Sequence, residues 1–155
     1  MIKPTSFRLP QHLVESVSQL MNILKVEKQK YEIASIAIED KQLRDNISWL
    51  ALESNQYICE LSSQLKSIGA VTAIEPAEEN NYSASPAPTF TETQLSVNIL
   101  QFCKDSEKMM ISAYRSVLNE PYLVEGLRTL IRKQLNGIMF AFLQLKLLNS
   151  VKTGM

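Results

Sequence analysis

Three glutamates fall where helices would turn them inward: Glu27, Glu53 and Glu107. Around the first, Leu13, Val17, Leu20, Leu24, Tyr31, Ala34 and Ile38 recur at helical spacing, and Glu27 sits in the middle of that apolar stripe. Carboxylates that converge at the waist of a four-helix bundle can bridge two hard cations. That arrangement takes one Glu from each of two helices and a Glu-x-x-His pair from each of the other two. Laid on this chain, the pattern uses Glu27 in the first helical segment and Glu53-x-x-Gln56 in the second. It continues with Glu107 in the third and Gln134-x-x-Gly137 in the fourth. Residues three apart share one helix face, so each pair would point the same way.

The donor set is reduced. Both imidazoles and one carboxylate of the full pattern are missing, and His12 is the single histidine in the chain. It lies about 15 residues from Glu27, or roughly 22 Å along a helix, and reads as a polar first-turn residue. Gln56 and Gln134 offer only neutral carbonyl oxygens. No resident cofactor and no redox di-iron centre is therefore expected. The alternative expectation is a hard divalent cation on Glu27, Glu53 and Glu107, assisted by Gln56 and Gln134, since oxygen-only sites suit magnesium, calcium or manganese. Against it stands a structural expectation. A buried carboxylate without a cation must be protonated or hold several donors, and Tyr31, Tyr57, Tyr114, Gln134 and Ser54 could supply them.

Four long helical patterns would position these groups, over about 10–39, 41–68, 91–118 and 121–149, in a single domain spanning 1–155. Pro10 suits the first helical position, where its missing N–H costs nothing. Asp40 can cap the second helix, and Gly69 suits the left-handed residue past its end. Leu43, Ile47, Leu50, Tyr57, Leu61, Leu65 and Ile68 line the second helix. Thr91 and Gln94 have capping-box spacing, and Phe90 with Leu95 has that of a hydrophobic staple. The third stripe reads Leu95, Ile99, Phe102, Cys103, Met110, Ala113, Tyr114 and Val117. Glu120 precedes Pro121 and is pushed to an extended conformation, so it can act as the cap of a fourth helix that starts at Pro121. Its stripe is Leu123, Leu127, Leu130, Ile138, Ala141, Leu145 and Leu148.

Connection lengths predict topology. One or two residues between the first and second helices, and between the third and fourth, make each pair an antiparallel hairpin. The segment 70–90, "VTAIEPAEENNYSASPAP" at its heart, carries three prolines and no helical stripe. A connector of about 22 residues reaches about 70 Å extended, against about 42 Å for each helix, so it can run the length of a bundle. Two hairpins joined by one long crossover between helices two and three give an all-α, ferritin-like four-helix bundle. A faint repeat agrees: Glu27-Lys28 and Glu107-Lys108, and Leu43 and Leu123, share one offset along the two hairpins.

Composition narrows the function classes. Lys and Arg number 16 and Asp and Glu 16, so the balanced charge gives no pull toward nucleic acid or anionic lipid. Arg128, Arg132 and Lys133 read as a solvated helix face. The region "GIMFAFLQLKLL" is broken by Gln144 and Lys146 and is too short to span a bilayer. The amino-terminal "MIKPTSFRLPQ" lacks the apolar core of a signal peptide, and a cytoplasmic location is expected. Cys59 and Cys103 are expected to be buried, reduced and structural. Met109, Met110, Trp49 and Tyr57 are expected to pack. With four glycines there is no phosphate loop, and no Ser-His-Asp or Cys-His arrangement occurs.

The "E-K-x-x-Y" and "E-K-x-x-I-x-x-Y" helices, the "D-K-Q-L-R" and "E-P-Y-L" turns and the "L-K-S-I-G" close of helix two resemble an uncharacterised bacterial family of ferritin-like bundles. That family is a domain of unknown function, and the resemblance covers roughly residues 12 to 148. It implies the fold and no activity. The expectation is a non-catalytic bundle that self-associates as a homodimer or other homo-oligomer, or binds a protein partner. Helix four carries Met139, Phe140, Phe142 and Leu147 outside its main stripe, and a helix apolar on two faces must bury both. The rival expectation is a metal-binding, di-metal carboxylate oxidoreductase-like protein.

Overall fold

The computed structural model describes residues 11–67 and 92–153, with side chains described over 11–67 and 101–151. These residues form four helices and, among them, no strand: α1 Gln11–Ala37, α2 Lys41–Ser67, α3 Glu92–Leu118 and α4 Glu125–Thr153. The segment 68–91, Pro10, Gly69 and the Phe90, Thr91 and Leu95 side chains lie outside the described residues, and so do the expectations placed on them.

α1 and α2 are separated only by Ile38, Glu39 and Asp40. The Asp40 carboxylate accepts the Leu43 N–H at 2.9 Å, and its carbonyl accepts the Arg44 N–H at 2.9 Å. A short acidic side chain thus satisfies an orphan donor of the first turn, and the chain reverses at once.

The second reversal departs from expectation. α4 begins at Glu125, not at Pro121, and its first turn is closed by Arg128 N–H on Val124 O. Proline's fixed φ suits a turn as well as a first helical position, and here residues 119–124 form the turn. Two constraints hold it. Leu123 is buried and plugs the core under the turn, and the Glu120 carboxylate, instead of capping α4, meets His12 Nδ1 at 2.8 Å. His12 thereby ties the start of α1 to the α3–α4 turn. That pair holds the imidazolium above its ordinary pKa through the Glu120 hydrogen bond.

Each helix packs on two others. α1 touches α2 and α3, and α4 touches α2 and α3. Contacts fix the directions. Glu27 of α1 meets Ser106, while His12, nearer the start of α1, meets Glu120 beyond the end of α3. α1 and α3 are therefore antiparallel. On the other side, a methyl at Gly126 would lie 3.1 Å from Gln64, and one at Gly137 would meet Tyr57, so α2 and α4 are antiparallel too. The core is one cluster through all four helices, with Val17, Leu24, Tyr31, Ile47, Leu61, Tyr114, Leu127 and Ile131 fully enclosed. The Tyr31 ring makes edge-to-face contacts with Phe102 and Phe142.

Several side chains lie elsewhere than expected. Phe142 is 1% exposed and belongs to the core, not to an outer stripe. Leu130 and Leu148 are only half-buried. Cys59 is exposed while Cys103 is buried, and burial pushes the Cys103 thiol up to about 12. Cys59 is two residues past Tyr57, which carries it to the far side of α2 at 100° per residue. Trp49 and Met109 are exposed as well, whereas Met110 and Tyr57 are buried.

Candidate functional site

The chemistry-bearing residues divide between two buried hydrogen-bond clusters, one on each side of the bundle. On the α1–α3 side, Glu27 is 2% exposed. Ser106 Oγ donates to Glu27 Oε1 at 2.7 Å and Lys30 Nζ donates to Oε2 at 3.1 Å. Ser106 has one proton and spends it on Glu27, so the Tyr31 hydroxyl must be the donor in its own short contact with Ser106 Oγ. The result is a directed chain, Tyr31 to Ser106 to Glu27, ending on a carboxylate that also has an ammonium. Burial pushes the Tyr31 phenol far above its usual range, which keeps it a donor. A helix can point this carboxylate into its core because the partners come with it: Lys30 sits one turn on, and its long stem carries the charge outward.

On the other side, Gln134 is 1% exposed and joins three helices. Its Oε1 accepts the Tyr114 hydroxyl of α3 at 2.7 Å. Its Nε2 donates to Glu60 Oε1 of α2 at 2.9 Å and to the Tyr57 carbonyl at 3.3 Å. Gln56 is exposed and donates to the second Glu60 oxygen at 3.0 Å. Burial raises Tyr114 well above the ordinary phenol range.

Glu53 lies beside this cluster. The Tyr57 hydroxyl donates weakly to its Oε2 at 3.4 Å, and its Oε1 is buried with no hydrogen-bond partner. Burial raises the Glu53 carboxyl, with hydrogen bonds from Tyr57 and Trp49 offsetting part of that rise. Burial, the Glu53 charge and the bond to Glu53 together push the Tyr57 phenol up to about 12. The Tyr57 ring can lie here only because Gly137 has no side chain: a Cβ there would fall 2.3 Å from the Tyr57 hydroxyl.

Glu53 gives an expected pH effect. The folded state holds a proton on it more tightly than the unfolded chain does, so raising pH from the ordinary carboxylate value through the raised one costs stability. Glu53→Gln should therefore raise the melting temperature at neutral pH, and the gain should shrink to nothing as pH falls below that window. Thermal melts across the acid range, wild type against variant, read this directly.

Glu107 stands apart from both clusters. It is bound by Lys146 of α4, with Nζ 2.8 Å from Oε1 and 3.1 Å from Oε2. Glu27, Glu53 and Glu107 thus occupy three separate environments, and Gln56 does not enter the core. Among the described residues, no three His, Cys, Asp or Glu side chains come together as a metal ion would require. At the level of Glu27, the inward position on α3 belongs to Ser106, one residue before Glu107. The two partners that the sequence reading missed are Ser106 and Glu60. Ser106 carried a signal, since it lies three residues from Cys103 and four from Met110 in an apolar stripe. Glu60 carried none beyond its spacing of seven from Glu53.

No helix among the described residues is long and apolar enough to cross a membrane. Nothing among family models, curated proteins or solved structures matches the chain.

Proposed function

We propose that this protein is a non-catalytic, ferritin-like helical bundle whose interior polar groups hold the helices in register. Its activity is then association with protein through the outer surface. The observation that carries this reading is that two of the three inward or partly inward carboxylates already have a cation of their own. Glu27 has Lys30 and Glu107 has Lys146. Each ammonium already neutralises a carboxylate that a divalent cation would need, and the donors point to different places. This donor set does not fit a di-metal centre.

The ferritin-like topology belongs to the same proposal. Its support is the set of helix directions. With both hairpins antiparallel and α1 antiparallel to α3, α2 and α3 run the same way. The end of α2 and the start of α3 then lie at opposite ends of the bundle, the arrangement that a long crossover requires.

One observation favours the rival, a divalent cation serving carboxylate oxidoreductase chemistry: Glu53 Oε1 is buried without a partner. A single measurement decides. Protein purified without a tag should contain iron, manganese and zinc far below one equivalent by elemental analysis. Stoichiometric metal that disappears in Glu27→Ala or Glu53→Ala would overturn the non-catalytic reading.

A further inference from the structure

We infer that the outer face of the α2–α4 layer is a homodimer interface, covered in solution by the same face of a second copy. This rests on the reading of the protein as one that works by association, and it names the partner and the surface.

The face follows from helical register. Tyr57 on α2 and Gly137 on α4 mark where the two helices touch. At 100° per residue, Trp49 and Leu52 lie about 80° and 140° round α2 from that contact, away from the core stripe of Ile47, Leu50 and Leu61. Phe140, Leu143 and Leu147 lie about 60° to 120° round α4 from Gly137, also away from the core. Because the helices are antiparallel, both turns lead to the same outer side. The same register puts Trp49 and Leu52 level with the turn of α4 that carries Phe142 and Leu145. Val151 continues the stripe. The six side chains therefore form one patch across two helices.

All six are between 49% and 71% exposed. Scaled to full areas of roughly 150–250 Å² for large apolar side chains, this is roughly 700 Å² of exposed surface. The largest apolar patch on a typical monomer is about 300–600 Å², whereas each partner in a standard stable interface contributes about 800 Å².

Two features select a second copy. The six side chains are all apolar, and the charged groups nearest them on α2 are already engaged: Lys41 and Asp45 neutralise each other, and Glu53 is held against Tyr57 and Trp49. That is the charge-depleted centre expected of a homodimer interface. The chain also has 16 basic and 16 acidic residues, so two copies approach without net repulsion, and the protein has no net attraction for anionic lipid.

Sedimentation velocity on the full chain from low to high micromolar concentration tests this. The expected species has twice the 17.6 kDa chain mass. Phe140→Glu/Leu147→Glu should weaken it at least about a hundredfold with helical circular dichroism retained, because a two-fold interface receives each charge twice. Ile36→Glu, at an exposed site on α1, should leave the dimer intact. If the α4 double variant fails to fold, Trp49→Lys/Leu52→Lys is read in its place. A wild type that is monomeric at every concentration would overturn the inference. So would a dimer that survives the substitutions, or a monomer that cosediments with phosphatidylglycerol vesicles through this face. Metal found in the core would sink the non-catalytic reading without touching the dimer, and a monomer would sink the dimer without touching the core.

Discussion

Gly137→Ala should lower stability by about 1–2 kcal/mol, the opposite of what the same change does in an ordinary helix. In an exposed helix interior, replacing Gly by Ala gains about 1 kcal/mol, because glycine has more backbone entropy to lose. At Gly137 the new Cβ would lie 2.3 Å from the Tyr57 hydroxyl, about an ångström inside contact. Tyr57 is buried between α2 and α4, and its ring cannot swing out without opening that seam. Overpacking of this kind costs typically 1–3 kcal/mol, which outweighs the helical gain. The second half of the expectation is a reversal. In a Tyr57→Phe background the hydroxyl is gone, and the nearest ring carbon stands 3.5 Å from the new methyl, an ordinary contact. There Gly137→Ala should become neutral or stabilising. Urea unfolding of the four proteins in this cycle reads the coupling, and a Gly137→Ala variant that is stabilised in the wild-type background would show that Tyr57 is not held against α4.

Gln134→Leu should cost about 2–4 kcal/mol although leucine is close in size and more apolar. The side-chain amide satisfies Tyr114, Glu60 and the Tyr57 carbonyl at once, on two helices other than its own. Leucine would leave the Tyr114 hydroxyl buried without an acceptor and remove a donor from Glu60. A buried polar group left unmatched costs its desolvation, about 1–3 kcal/mol, and more when a charge is involved. Removing both members of a buried pair is much cheaper than removing one. Gln134→Leu/Tyr114→Phe should therefore recover a large part of the loss, and a double variant no better than the single one would disprove the pairing. Thermal and chemical denaturation give the numbers, and the helical content of the folded state should not change.

Much of the fold was legible as a line of residues. The four apolar stripes, the Asp40 cap and the short first reversal are local, set by spacing and by one side chain meeting one backbone N–H. They need no tertiary information. The inward setting of Glu27 was legible for the same reason, as a polar break in a regular stripe. Where local signals were ambiguous, distant contacts decided. Pro121 suits a turn and a helix start equally, and it was Leu123 entering the core and Glu120 meeting His12 that made 119–124 a turn. Phe142 reads as an outer residue only if the α4 stripe is drawn too narrow. Packing against Tyr31 settles it inside.

The partners of each carboxylate were beyond the reach of spacing. A period of 3.6 residues places a side chain on a face to within a few tens of degrees, which does not say whether Ser106 or its neighbour Glu107 points at Glu27. That choice depends on the rotation and height of α3 against α1, set by the whole core. By itself the chain determined that four amphipathic helices would form and that Glu27 would be drawn inward. Only their assembly decided that a serine and a lysine receive Glu27, that a glycine makes room for Tyr57, and that an apolar face is left outward on α2 and α4. Those outcomes come from distances between residues many tens of positions apart, and such distances exist only once the helices have packed.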